Sequence, residues 1–263
     1  MTPTELVTEI ATELETVVST PLAEAAPLVE KAADYGFFNG IVHDLTSINI
    51  FLFILAAIAG YLIGSLNLAI VMSRGMGKDI REMGSGNAGT TNALRTMGKG
   101  AAAMVLVFDI LKGSIIPIVL RLFADSIYYS SGNYLLANAL LTMAYIYALF
   151  AVIGHCYPLY YKFKGGKGIA TAAGALLVIS TPATLMALVE FIIIVLLFRY
   201  VSLASIVAVI NIPLFTYFTA PGEMRLMTVT ILIALLALFK HRSNVVRLRE
   251  GTESPLFGKK KDK

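Results

Sequence analysis

The sequence predicts an all-α integral membrane protein of about seven transmembrane helices, with its N-terminus outside and its C-terminus cytoplasmic. Composition is the first observation behind that expectation. Of 263 residues, 57% are hydrophobic and only 14% charged, with a mean hydropathy of +0.76. A soluble domain carries about 25% charged residues. The second is placement: the charges gather between apolar runs, several of them near the ~20 residues needed to cross a hydrocarbon core. The third is sidedness, because Lys and Arg crowd the connections on one side only.

Residues 1–46 come first and differ from the rest. They hold eight acidic residues against the single Lys31, with Leu6, Ile10, Leu14 and Val17 at helical spacing. Signal and transit peptides begin with basic residues, so an acidic extracytoplasmic extension is expected here. A transmembrane domain follows over 47–253. Its apolar runs are 48–73, 100–123, 134–157, 201–219 and the shorter 225–239. The run 169–198 is too long for one straight crossing and is interrupted by Ser180, Thr181 and Pro182. Proline and hydroxyls suit the start of a new helix, so two spans meeting at Pro182 give seven. One kinked, tilted span would give six or fewer.

With seven spans and the N-terminus outside, the inner segments carry Arg74, Lys78, Arg81, Arg95 and Lys99, then Lys162, Lys164 and Lys167, then Arg199. The last inner segment holds Lys240, Arg242, Arg247 and Arg249, and it ends in a basic cytoplasmic tail over 254–263. The outer segments 124–133, 180–183 and 220–224 contain no Lys or Arg, and only Arg121 and Lys31 dissent. The lone Cys156 excludes an intrachain disulfide.

Two inner loops carry the chemistry. In the first, Gly84, Gly86 and Gly89 surround Ser85 and Asn87, followed by Thr91, Asn92 and Arg95. The run matches G-x-G-x-x-G only formally, since a dinucleotide fingerprint needs a preceding strand and a βαβ unit. What remains is a set of exposed backbone N–H groups beside a cation, suited to holding an anion. The second loop, 154–168, contains His155, Lys164, Gly165, Gly166, Lys167 and Gly168 directly before an apolar helix. It lacks the upstream glycine and following Ser/Thr of a nucleotide-hydrolysing loop. Lysines beside N–H groups at a helix start favour phosphate.

Asp109 and Lys112 lie three apart on one helical face. Charge inside a membrane faces a partner or a watery cavity, so a helix-orienting ion pair and a substrate contact both fit. Glu190 raises the same question without a partner legible in the sequence. In the tail, His241 and Asn244 share one face of a continued helix, close to Glu253.

These pieces together resemble one family, the bacterial acyl-phosphate-dependent glycerol-3-phosphate acyltransferases. The matching residues are Gly64-Ser65, 84–92 with Arg95, Asp109 with Lys112 and Gly113, 154–158, 163–168, and His241 with Asn244, Arg247, Gly251 and Glu253. They run in order from about residue 60 to 253. The extension 1–46 falls outside the resemblance. Leu66-Asn67 departs from it, since the family usually shows Ile-Pro after Gly-Ser.

The resemblance implies transfer of a fatty acyl group from acyl phosphate to the position-1 hydroxyl of glycerol 3-phosphate. The products are lysophosphatidic acid and phosphate, in the first step of phospholipid synthesis. It further implies catalytic roles for Ser85, Arg95, His241 and Asn244. Substrate binding is expected at Gly84, Gly86, Asn87, Gly89, Thr91, Asn92, Lys112, His155, Lys164, Gly165, Gly166, Lys167 and Gly168, and structural roles at Asp109 and Glu253. An acyl phosphate carries a good leaving group, so no metal or cofactor is called for. The base could be His241, His155 or the substrate's own phosphate. The expected setting is the cell inner membrane, multi-pass, with the site facing the cytoplasm. Membrane lipids are the surroundings and nucleic acid has no role; oligomeric state stays open. The acyl-CoA-type H-x-x-x-x-D motif is absent, because Ile48, Tyr160 and Val246 stand five residues after His43, His155 and His241. An anion or lipid transporter is the non-enzyme alternative, although transport sites lie near the midplane rather than on one side.

Overall fold

A computed structural model describes residues 50–256. The acidic extension 1–46 and residues 257–263 of the basic tail lie outside the described residues. The described chain is helical throughout: α1 (Ile50–Gly64), α2 (Leu68–Gly75), α3 (Thr90–Thr96), α4 (Lys99–Ser131), α5 (Tyr134–Cys156), α6 (Ile169–Ile179), α7 (Thr181–Phe198), α8 (Val201–Thr219), α9 (Met224–Lys240) and α10 (Arg242–Arg249).

Backbone groups in lipid must be satisfied within the protein, which is why apolar segments become helices. Five stretches are long and apolar enough to cross: Ile50–Gly75, Lys99–Ser131, Tyr134–Tyr161, Thr181–Phe198 and Val201–Thr219. Counting α9 with α10, which bend by 54° at His241, makes six. Against the seven expected, length and apolarity alone thus give five or six among the described residues, and the difference is α6. The run 169–198 does break into two helices at Ser180, with Pro182 in the first turn of α7. The break divides it unequally, however, and α6 has only 11 residues. At 1.5 Å per residue it reaches roughly 16 Å, about half the hydrocarbon core.

Although short, α6 is deeply packed, with Thr171, Ala172, Gly174, Ala175, Leu176 and Ile179 buried. It lies against α4 so closely that a Cβ on Gly113 would strike the Thr171 carbonyl. Membrane helices have no hydrophobic drive toward one another, so close approach over small residues supplies the contact. Far from the loops, the Arg121 guanidinium hydrogen-bonds the Val178 carbonyl at the end of α6. This gives that one dissenting cation a local partner. Halfway along α7, Glu190 accepts a hydrogen bond from Asn211 of α8 at 2.6 Å.

The first span is broken rather than continuous. Residues 65–67 leave the helix, and Asn67 caps α2 by accepting the Ile70 N–H at 3.0 Å. Nearby, the Ser65 hydroxyl donates to the Tyr61 carbonyl and accepts the Leu159 N–H. The Leu66-Asn67 departure is thus a built feature of this chain's first span.

Candidate active site

The segments rich in Lys and Arg converge on one end of the bundle. Arg81 donates to the Tyr161 carbonyl at 2.9 Å, joining the first loop to the second. The same guanidinium grips Asp79 at 2.6 Å and pulls its carboxyl down to about 2. Arg95 reaches the Ser254 carbonyl at 2.8 Å. The Leu256 N–H bonds the Arg199 carbonyl at 2.7 Å. Lys240 donates to the Cys156 carbonyl and lies 4.5 Å over the Tyr157 ring. First loop, second loop, α7–α8 turn and tail therefore form one surface.

The first loop is shaped from beneath by Asn92. Its Oδ1 accepts the Ser85 N–H at 2.9 Å, while Nδ2 donates to the Ile80 and Met83 carbonyls. Only 1% of Asn92 is exposed. Read from the sequence as a substrate contact, it is corrected to an anchor, because its amide oxygen and nitrogen are both engaged with backbone. Above it, Gly84 and Gly86 take left-handed φ values of 56° and 72°. Ser85 and Arg95 stand exposed, Asn87 and Thr91 are half-buried, and Gly89 is buried. One group was missed from the sequence: the Thr90 hydroxyl, buried without a hydrogen-bond partner among the described residues. Nothing in a Gly-Thr-Thr-Asn string separates it from Thr91.

The second loop is held by His155. Its carbonyl accepts the Gly166 N–H at 3.1 Å. A Cβ on Gly166 would collide with His155 Nε2 and come within 3.0 Å of the Ala88 carbonyl. That position is where the two loops touch, and only glycine fits. Gly168 caps α6 with φ 81°, Gly165 lies against Pro158, and Lys164 is exposed.

Below this contact lies a closed charged cluster. The Lys112 ammonium is 2.8 Å from Asp109, 2.7 Å from the Leu66 carbonyl and 2.9 Å from His155 Nδ1. Lys112 is 4% exposed, Asp109 2% and His155 3%. An ammonium buried among these partners presents no open face to a substrate. Lys112, expected as a phosphate contact, is here the partner of Asp109 on its own helix and ties α4 to the Leu66 carbonyl and to His155 of α5. His155 changes role too. An ammonium can only donate, so Nδ1 accepts and the ring proton sits on Nε2, facing Gly166. The Nδ1 lone pair is engaged by Lys112, with Asp109 Oδ1 and Thr171 Oγ1 each 3.4 Å away, so it does not face the loop surface.

The tail carries a second, more open network. Lys167 donates to Asn244 Oδ1, and Asn244 Nδ2 donates to Glu253 Oε1 at 2.9 Å. Ser202 donates to the same oxygen at 3.0 Å, and Arg247 Nε to Oε2 at 2.7 Å. Burial pushes Glu253 upward, but the hydrogen bonds from Arg247, Asn244 and Ser202 prevail and hold it below its ordinary value. Burial brings Lys167 down to about 8, opposed by Glu253 and assisted by Arg247, Arg95 and Lys240. Asn244 thus acts as a bridge that places Lys167. His241 differs from His155: its Nδ1 lies 2.7 Å from the Ala237 carbonyl. A carbonyl only accepts, so Nδ1 carries the proton and the Nε2 lone pair remains.

Fold and site together define an integral membrane protein that presents glycine-rich loops and cations on one surface, in the manner of an enzyme for phosphorylated, lipid-linked substrates. A family model for glycerol-3-phosphate acyltransferase matches residues 54–251. The chain belongs to the glycerol-3-phosphate acyltransferase family. A relative from Syntrophotalea carbinolica is 40% identical over 203 residues, covering 77% of this chain and 96% of its own length. Another, from Neisseria meningitidis serogroup C, is 39% identical over 209 residues, 79% of this chain and 99% of its own. A crystal structure of PlsY, an integral membrane glycerol 3-phosphate acyltransferase, in its glycerol 3-phosphate form aligns with TM-score 0.64 and 36% identity. That match covers 78% of this chain and 96% of the other. The lysophosphatidic acid form aligns with TM-score 0.62 and 35% identity.

Proposed function

We propose that this acyltransferase takes its acyl group from an acyl phosphate and delivers it to the position-1 hydroxyl of glycerol 3-phosphate, on the cytoplasmic side of the cell membrane. The hydroxyl oxygen bonds to the acyl carbon and the acyl–phosphate bond breaks. Lysophosphatidic acid and inorganic phosphate leave. The observation that carries this reading is the convergence of Arg95, Lys167, Arg247 and the Gly84–Gly89 and Gly165–Gly168 loops on one surface. Two anionic substrates held side by side repel each other, and such a surface offsets that repulsion while donors await the developing oxyanion.

Within this reading, the Lys167 ammonium and the Gly165–Gly168 backbone hold the glycerol phosphate. Ser85, Arg95 and the first loop's N–H groups meet the acyl phosphate. The His241 lone pair on Nε2 and the substrate's own phosphate are the remaining choices for the base, with the tautomer of His155 arguing against it. Asn244 and Glu253 set Lys167 in place. The cytoplasmic placement rests on the Lys and Arg bias of the segments that form the site.

Purified protein given glycerol 3-phosphate and palmitoyl phosphate is expected to form lysophosphatidate and free phosphate; palmitoyl-CoA in its place is expected to give none. Product from the thioester alone would reject the donor assignment. Ser85→Ala and Arg95→Ala are expected to lower kcat by about 10²–10³ if they act as transition-state donors. Wild-type rates in both would move the site elsewhere.

A further inference from the structure

Asn67 occupies the break in the first span and is 2% exposed. Its two amide atoms face different ways. Oδ1 accepts the Ile70 N–H at 3.0 Å, which is ordinary helix capping. Nδ2 donates across 21 residues to the Ala88 carbonyl at 3.1 Å, inside the first loop. Capping needs only the oxygen. The amide donor has a separate task, and any capping residue lacking a donor of that reach would leave the Ala88 carbonyl unanswered.

That carbonyl lies at a junction. It borders Gly166 of the second loop, at a point where a side chain would not fit. A trans peptide also points its C=O and the following N–H in opposite directions. Holding the Ala88 carbonyl toward Asn67 therefore turns the Gly89 N–H away from Asn67. On the other flank of the break, the Leu66 carbonyl is held by Lys112. Residues 66 and 67 are thus fixed by the buried cluster on one side and by the loop on the other.

We propose that Asn67 is a positioning residue for acyl transfer: through Ala88 its amide sets the orientation of the Gly84–Gly89 loop against the Gly165–Gly168 loop. The inference rests on the reading that the first loop meets substrate, and its test is separable from that reading. Asn67→Asp retains the capping oxygen and replaces the donor with a second acceptor facing the Ala88 carbonyl. The purified variant is assayed with palmitoyl phosphate and glycerol 3-phosphate, and its melting temperature is recorded in the same detergent. A lost buried hydrogen bond with its acceptor left unpaired predicts that kcat/KM falls about tenfold or more. Most of the loss falls in kcat per folded molecule, over and above any fall in melting temperature from the unpaired acceptor. Hydrogen exchange is expected to quicken over 84–92 and to stay unchanged in α5.

If Asn67→Asp does not fold, Asn67→Ser caps α2 equally but is too short to reach Ala88, and the same loss is expected. Wild-type kcat/KM in the folded variant overturns the proposal, as does a lowered melting temperature with normal turnover per folded molecule. Ser85→Ala and Arg95→Ala run alongside. Their inactivity with a fully active Asn67→Asp would remove Asn67 alone, whereas wild-type rates in all would remove the loop reading itself.

Discussion

Two lysine-centred networks lie in this molecule, and they differ in one respect that decides their roles. Lys112, Asp109 and His155 form a closed cluster between α4, α5 and the break in the first span, each no more than 4% exposed. Lys167, Asn244, Glu253 and Arg247 form a chain on the loop surface, where Lys167 and Arg247 remain partly open. Both pair a lysine with a carboxylate and a nitrogen-bearing side chain. In the closed cluster the ammonium meets its acid directly, so charge is neutralised on the spot. In the open chain Asn244 stands between Lys167 and Glu253, and the lysine keeps a face for an anion. On the proposed reading, distance between the charges, rather than residue type, separates a structural pair from a binding one.

The largest effect that would sharpen this contrast is expected at Asp109. Removing one member of a buried ion pair leaves an uncompensated charge, at a cost of about 3–5 kcal/mol. Asp109→Ala is expected to lower the melting temperature in detergent more than any loop variant, and a melt like wild type would break the comparison. Next comes Glu253→Ala, which strips Asn244, Arg247 and Ser202 of their common acceptor. KM for glycerol 3-phosphate is expected to rise about 10- to 100-fold in steady-state assays, with a smaller change in melting.

A pH profile gives a moderate effect. Lys167, lowered to about 8, is charged below that pH and loses its proton as pH rises through it. Since kcat/KM reports the free enzyme, it is expected to fall about eightfold between pH 7.5 and 9. Lys167→Arg, which stays charged, is expected to flatten that limb whatever its absolute rate. The smallest effect belongs to Lys164, whose side chain is exposed. Lys164→Ala is expected to change KM less than about threefold, as for a solvent-screened charge.

Much of this was legible from sequence because membranes impose strong rules. Apolar length marked the long helices, and Lys and Arg placement grouped the segments that the structure gathers on one surface. The 30-residue run from 169 to 198 was legible as broken at Ser180–Pro182, which is where α6 ends and α7 begins. The site's chemistry was visible as residue types: glycines, lysines, His241 and Asn244 were all in view. Their assignments were not. Asn92 and Asn87 look alike in a string, and only the fold directs one under the loop and leaves the other half-buried at the surface. His155 and His241 likewise differ only by what reaches Nδ1, an ammonium in one case and a carbonyl in the other. Asn211 as the partner of Glu190 needed two helices side by side.

The most direct test of the central distinction exchanges the two lysines for alanine one at a time, measuring KM for glycerol 3-phosphate and melting temperature in the same preparations. Lys167→Ala is expected to raise KM strongly, by about 10- to 100-fold, while melting stays near wild type. Lys112→Ala is expected to depress melting while molecules that remain folded keep a KM near wild type. The reverse pattern, with Lys112→Ala raising KM in a stable protein and Lys167→Ala leaving KM untouched, would contradict the account.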